Sequence, residues 1–321
     1  MNVLVTGGAG FIGSHLCQRL VSDGHEVIAL DDFSTGTAKN LAQLANNESF
    51  KLVEGSVLDT NLVDRLMNEV EYVFHLAAAV GVFNIIENPL NSLLTNIRGT
   101  ENILESALTR KTPVLITSSS EVYGKNISDS LKESDDRILG SPITLRWSYS
   151  EAKAIDESLA YAYFVEKQLK TRIVRFFNTV GPRQLGAYGM VVPRFVKSAI
   201  TNEPITIYGD GNQTRCFAHV YDVIDAVIAI AFAENTVGKV INIGNDYEIS
   251  INALAEKIIA ETQSKSEVIH VPYSEAYGKG FEDMERRVPN IELINQLVGW
   301  KPKRNLSTII SDISTAMKEL H

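Results

Sequence analysis

Tyr149 and Lys153 are four residues apart in Tyr-Ser-Glu-Ala-Lys, so a helix carries both on one face. An ammonium beside a phenol lowers the phenol's pKa, which makes Tyr149 a base usable at neutral pH. A lone Tyr-x-x-x-Lys also arises by chance on helix surfaces. The pair gains force from Ser118-Ser119-Ser120-Glu121-Val122-Tyr123-Gly124, which follows a strand and whose hydroxyls can reach the same reacting oxygen. Ser119, Glu121, Tyr149 and Lys153 are the candidate catalytic residues, with Ser120 beside them.

A second constellation stands at the start of the chain. Residues 6–13 read Thr-Gly-Gly-Ala-Gly-Phe-Ile-Gly, between a strand and an amphipathic helix. Gly7 permits a tight turn, Gly10 lets a diphosphate approach the backbone, and Gly13 allows close helix–strand packing. Phe11 and Ile12 open a helix whose N-terminal N–H groups suit phosphate oxygens. A plain tight turn would use the same glycines, but the next strand ends in Asp31-Asp32. A carboxylate there accepts hydrogen bonds from ribose hydroxyls and repels a 2′-phosphate. No Lys or Arg follows until Lys39. The combination indicates NAD rather than NADP, with Ser56 and Val57 expected beside the adenine.

These residues need a scaffold, and the pattern around them describes one. Strand-like runs at 2–6, 26–30, 51–53, 72–75, 113–117 and 172–176 alternate with helical stretches near 11–23, 60–69, 90–110 and 147–169. Such alternation means βαβ units and a parallel sheet covered on both faces. After about residue 180 the rhythm breaks. Gly and Pro become denser, and a strand at 205–208 interleaves with helices near 191–201, 219–233 and 250–262.

Composition bounds the partners. Of 321 residues 45% are hydrophobic and 21% charged, as in an ordinary globular protein of about two domains. The net charge of −9 argues against nucleic-acid binding. Cys17 and Cys216 form no paired spacing, so neither a disulfide framework nor a Cys-rich metal site is expected. The longest apolar stretch, 223–233, contains Asp225 and is too short for a bilayer. No basic segment precedes an apolar one at the N-terminus, so a cytoplasmic location is expected.

The glycines at 7, 10 and 13, then His75-Leu-Ala-Ala, Ser-Ser-Glu-Val-Tyr-Gly, Tyr-x-x-x-Lys and Arg175-Phe-Phe-Asn178 occur in a familiar order. The chain resembles the extended short-chain dehydrogenase/reductases over essentially its whole length. The resemblance implies an α/β fold: a Rossmann-type doubly wound parallel sheet with a smaller C-terminal α/β substrate-binding lobe. It implies an NAD-binding domain at 1–180 and a nucleotide-sugar lobe at 181–321. Leu76, Ala77, Ala78 and Asn96 join the cofactor residues, as do Tyr149 and Lys153. Asn178-Thr-Val-Gly-Pro-Arg, Val192-Pro-Arg194-Phe, Ile207-Tyr208-Gly-Asp-Gly and Gln213-Thr-Arg215-Cys-Phe look like the family's nucleotide-sugar segments. By that likeness Asn178 and Arg215 hold the diphosphate, and 205–208 lies against the base, usually uracil. A planar guanidinium suits bidentate phosphate contact. His75 and His219 are read as packing residues, and no metal is expected. The family's homodimer implies a four-helix bundle, supported by the apolar spacing of Leu93, Ile97, Leu104, Ile155, Leu159 and Ala162. The same stripes would also serve to cover the parent sheet.

The reaction depends on neighbours of the shared opening step, in which Tyr149 takes the C4-hydroxyl proton of the sugar. The family's dehydratases usually carry an adjacent Asp-Glu pair where this chain has Ser120-Glu121, which counts against dehydration. Tyr277-Gly-Lys-Gly-Phe-Glu-Asp-Met-Glu-Arg-Arg287-Val-Pro, Gly299-Trp300-Lys-Pro and Arg146-Trp147-x-Tyr149 resemble the UDP-glucuronate decarboxylase branch. That likeness implies decarboxylation of a UDP-linked sugar. Arg287 orients the carboxylate or delivers a proton, and Glu121 holds the ring; residues 79–87 should line the sugar pocket. Alternatively Arg287 caps a helix or pairs with Glu282 or Glu285. A nucleotide-sugar 4-epimerase stays open as the second reading and a dehydratase as the third. A non-enzymatic NAD-sensing scaffold has no need for a matched base and ammonium.

Overall fold

In the computed structural model, which describes residues 1–79, 88–184, 186, 190–272, 275, 284 and 286–319, the alternation of the first half becomes regular structure. It runs β1 (Asn2–Thr6), α1 (Phe11–Ser22), β2 (Glu26–Asp31), β3 (Phe50–Glu54), α2 (Thr60–Met67) and β4 (Tyr72–His75). Then come α3 (Pro89–Arg110), β5 (Val114–Ser119), α4 (Ser148–Lys167) and β6 (Thr171–Phe176). The second half continues with β7 (Thr179–Val180), α5 (Val191–Thr201), β8 (Ile205–Tyr208), β9 (Thr214–Cys216), β10 (Ala218–His219) and α6 (Val220–Phe232). It ends with β11 (Val240–Ile243), β12 (Glu248–Ser250), α7 (Ile251–Thr262), β13 (Val268–Val271), α8 (Glu292–Val298) and α9 (Leu306–Lys318). The expected sugar-pocket stretch 80–87 and the run 277–283 lie outside the described residues, so no structure is assigned to them.

Among the described residues the central sheet has seven strands in the order β11-β6-β5-β4-β1-β2-β3, every pair parallel. Six of its strands are largely buried, as their apolar runs require, while β3 at the edge is half exposed. Leu16 and Leu20 of α1 cover one face together with Val227 and Ile230 of α6 and with Trp300. Leu66 of α2, Ile103 and Leu104 of α3 and Ala160 of α4 cover the other. The order of strands reverses between β1 and β4, and at such a point the carboxyl ends of the strands leave a crevice. A separate core joins Phe195 of α5, Leu254 of α7 and Ile309 of α9 beside that crevice.

The seventh strand, β11, is not among those the alternation predicts. Its four residues pair with β6 from Val240 on Ile173 to Ile243 on Phe176. It lies beyond residue 180, where the alternation has broken, and the sheet edge supplies the pairing.

The proposed dimer stripe also divides. Leu104 is fully buried on the sheet and has no surface for a partner, whereas Ile155 is 41% exposed. Along α4 the exposed apolar residues are instead Ile155, Tyr161 and Val165, with Leu90 at the start of α3.

Candidate active site

The crevice holds a cavity of about 510 Å³ that reaches from the glycine loop to β8 and Arg287. The loop after β1 is built backbone against backbone. Gly7 has φ +69°, and a Cβ there would stand 2.8 Å from the Ala77 nitrogen. A Cβ on Gly13 would lie 2.1 Å from the Gly7 carbonyl oxygen, so only glycine lets α1 start this close to β1. The N-cap of α1 is Gly10, and no side chain caps the helix. Its first-turn N–H groups are thus left for a ligand, and the loop fits a dinucleotide diphosphate.

Asp31 lies at the rim. Its Oδ2 accepts the Ala9 N–H at 2.8 Å and its Oδ1 the Phe33 N–H at 2.9 Å. Burial raises its pKa against these donors and the Gly10 N–H, and a carboxylate has acceptor sites beyond those they use for a ribose hydroxyl. Asp32 also lines the cavity, exposed, accepting from the Ser34 N–H. Phe11, Ile12, Val57, Leu76, Ala77 and Ala78 complete this end.

Two expected cofactor residues stand outside the lining. Asn96 is buried on α3 and accepts the Ala79 N–H at 2.9 Å, holding the backbone behind the wall. Ser56 turns its hydroxyl to the Leu58 N–H, leaving the wall to Gly55 and Val57.

Deeper in the crevice α4 presents Tyr149 and Lys153. The helix is locked to the sheet by Glu157, which accepts from Arg175 Nε and Nη2 at 2.8 and 2.7 Å. The Ser119 hydroxyl hydrogen-bonds the Tyr149 phenol. Lys153 donates to Asp156 Oδ2 at 3.0 Å, with both side chains buried. Against expectation the Tyr149 phenol is raised. Burial is the largest cause and Glu121 and Asp156 add to it, outweighing the Lys153 ammonium and the Ser119 hydrogen bond. Lys153 itself is raised despite burial, because Asp156 and Tyr149 favour its charge. His75 is a packing residue here: it hydrogen-bonds Thr6 Oγ1 at 2.8 Å and Thr100 Oγ1 at 3.1 Å, and burial lowers its pKa to about 3. Similarly, buried His219 bonds Asp312 at 3.1 Å.

Glu121 joins both halves of the chain. Its Oε2 accepts from Arg146 Nη1 and its Oε1 from Arg287 Nη1, each at 2.6 Å. Arg287 Nη2 donates to Asn178 Oδ1 at 2.8 Å. Burial alone would raise Glu121, but the two guanidiniums hold it down at about 2. Arg287 is carried into place by its own backbone neighbours. The Val288 carbonyl accepts from Leu131 N–H, and the Leu131 carbonyl accepts from Asn290 N–H, both at 2.8 Å.

The remaining walls come from Ser120, Val192, Arg194, Tyr208 and Arg215. The Arg194 guanidinium stacks over the Tyr208 ring at 4.3 Å, and Arg215 Nη1 donates to the Thr214 carbonyl at 2.8 Å. Arg146, Arg183 and Asp156 carry no site role in the sequence reading. Arg146 and Arg183 lie in Arg146-Trp147-x-Tyr149 and Asn178-Thr-Val-Gly-Pro-Arg183, yet an arginine's partner cannot be read from its neighbours in sequence.

Known proteins resemble this chain over nearly its whole length. A UDP-N-acetyl-alpha-D-glucosaminuronate decarboxylase from Bacillus cytotoxicus is 41% identical over 300 residues, 93% of this chain and 92% of its own length. UDP-glucuronic acid decarboxylase 1 of Xenopus tropicalis is 36% identical over 94% of this chain and 68% of its own. Among solved structures, UDP-glucuronic acid 4-epimerase from Bacillus cereus, in complex with UDP-glucuronic acid and NAD, is 28% identical with a TM-score of 0.90, covering 100% of both chains. The sequence pattern of GDP-mannose 4,6 dehydratase matches residues 4–313, and the chain belongs to that family.

Proposed function

We propose that this chain is an NAD-dependent decarboxylase of a UDP-linked uronic acid, acting through a 4-keto sugar. The observation that carries the reading is the Arg146–Glu121–Arg287 cluster beside Tyr149. Arg287 reaches the cavity between Glu121 and Asn178, and its guanidinium suits a substrate carboxylate better than a neutral sugar. The names of the two decarboxylase relatives point to the same kind of substrate.

The α1 N-terminus would hold the NAD diphosphate, Asp31 the adenosine ribose, and Lys153 the other ribose. When bound, NAD supplies a reversible acceptor for the hydrogen on C4. Tyr149 takes the C4-hydroxyl proton while Ser119 holds the oxygen. With C4 oxidised, the C6 carboxylate is that of a β-keto acid. The C5–C6 bond then breaks, its electron pair passes into the C4 carbonyl as an enolate, and carbon dioxide leaves. Arg287 orients the carboxylate before cleavage, and Asn178, Arg194, Tyr208 and Arg215 hold the UDP portion.

A 4-epimerase is the second reading, favoured by the likeness to the Bacillus cereus epimerase. Incubation with UDP-glucuronate and UDP-N-acetylglucosaminuronate, followed by mass analysis, separates the two. Loss of carbon dioxide is expected; unchanged mass with a new stereoisomer transfers the assignment to the epimerase. No turnover of either nucleotide sugar would favour a scaffold.

We propose further that the protein is a cytoplasmic homodimer. Cys17 and Cys216 are free and buried, and among the described residues no helix is long and apolar enough to cross a membrane. The dimer face is the exposed apolar surface of Ile155, Tyr161 and Val165 on α4. A monomeric mass at micromolar concentration would remove it.

A further inference from the structure

The segment after β7, Gly181-Pro182-Arg183, takes no part in the chemistry above. It leaves the substrate side at Asn178 and turns onto α1. His15 Nε2 donates to the Pro182 carbonyl at 2.9 Å. Arg183 Nη1 donates to Ser14 Oγ at 3.2 Å, and Nη2 donates to Gln18 Oε1 at 2.8 Å. Phe11, Ser14, His15 and Gln18 form one face of the helix, and this segment lies along it. Arg183 holds φ at +69°, a left-handed conformation that costs a non-glycine residue free energy and persists where surroundings impose it.

Its two partners are neutral, and among the described residues no carboxylate pairs with it. Burial disfavours the charge of the guanidinium. A half-buried cation with hydroxyl and amide partners is left to meet an anion. Arg183 lines the same cavity as Gly10, Phe11 and Ile12, at the uncapped N-terminus of α1.

Resting on the reading of that loop as the NAD site, we infer that Arg183 is a ligand of the cofactor diphosphate, delivered across the crevice from the segment that also carries Asn178. The diphosphate bears negative charge that the helix N-terminus meets with partial charges and Arg183 with a full one. One stretch of chain thus serves both ligands, Asn178 on the nucleotide-sugar side and Arg183 on the cofactor side.

The test is calorimetric titration of cofactor-stripped protein with NAD, ADP and adenosine, for wild type, Arg183→Met and Arg183→Lys. Arg183→Met is expected to weaken NAD and ADP by about tenfold or more, the range of a charged hydrogen bond, and to leave adenosine within about twofold. Arg183→Lys keeps the charge without the fork and is expected to fall between. It also carries the test if the methionine variant unfolds early in a thermal melt. Unchanged NAD affinity, or equal weakening of all three ligands, overturns the assignment and leaves Arg183 as a staple on α1. A wild type that binds neither NAD nor ADP overturns the NAD site itself, and Arg183's role with it.

Discussion

Asp156 accepts a hydrogen bond from the Lys153 ammonium at 3.0 Å, three residues apart on α4, with side chains 0% and 3% exposed. Burial by itself lowers the lysine's pKa, and Asp156, with Tyr149, more than offsets it. The pair sets the field at Tyr149. The ammonium favours the phenolate, while Asp156 and Glu121 oppose it, so without further charge the phenol stays protonated. A cationic ring placed beside Tyr149 shifts that balance toward the base form. Proton removal is thereby tied to a loaded site.

Asp156→Asn is expected to destabilise the fold by about 3–5 kcal/mol, because it leaves a buried ammonium without its counter-charge. Chemical unfolding monitored by circular dichroism measures it. A change below about 1 kcal/mol would mean that the pair contributes little and that Lys153 finds another partner.

Tyr149→Phe removes the hydroxyl while keeping the ring. Turnover is expected to fall by at least ~10²-fold, within the ~10²–10⁴ range of general acid–base catalysis. UDP affinity should change little, since Arg194, Tyr208 and Arg215 are untouched. Near-normal turnover would exclude Tyr149 as the base.

Arg287→Ala frees one oxygen of Glu121 and Asn178 Oδ1 and, on the proposed function, removes the partner of the substrate carboxylate. Carbon dioxide release from a UDP-uronate is expected to drop by at least ~10²-fold, with UDP binding reduced far less. Comparing labelled carbon dioxide release with UDP titration checks the split. Equal losses in both would make Arg287 a structural residue.

Acid should destabilise the protein through two buried histidines. Burial lowers His15 to about 4 and His75 to about 3 from an ordinary 6.5. The unfolded chain therefore takes up protons first as pH falls below 6.5. Stability from this source is whole above 6.5 and is lost progressively toward 4 for His15 and 3 for His75. At pH 5 the loss is about 2 kcal/mol per histidine. Glu121, held at about 2, adds a further loss between its ordinary 4.5 and 2, in the same direction. Thermal melts are expected to show Tm falling steeply from about pH 6.5 to 4. A flat Tm over that interval would show that these histidines are hydrated or already charged in the fold.

What the amino-acid order determines by itself is local. Strands β1 and β4, the glycine loop with Asp31 after it, and the Tyr149–Lys153 pair were legible because each signal lies within one turn or one strand. Tertiary structure decided everything that needs two distant segments to meet. β11 becomes a strand because the edge of β6 is open to it. Leu104 is lost to a dimer because the sheet takes it, and Ser56 and Asn96 stand outside the cavity lining, their side-chain oxygens accepting from nearby backbone N–H groups. The Tyr149 phenol rises rather than falls because burial and two carboxylates act on it from outside its own helix turn. Glu121 meets Arg146 across 25 residues and Arg287 across 166, and no periodicity spans such distances. Hydrophobic period and turn chemistry are encoded over a few residues, whereas the pairing of charges depends on which side chains the packed sheet leaves within reach.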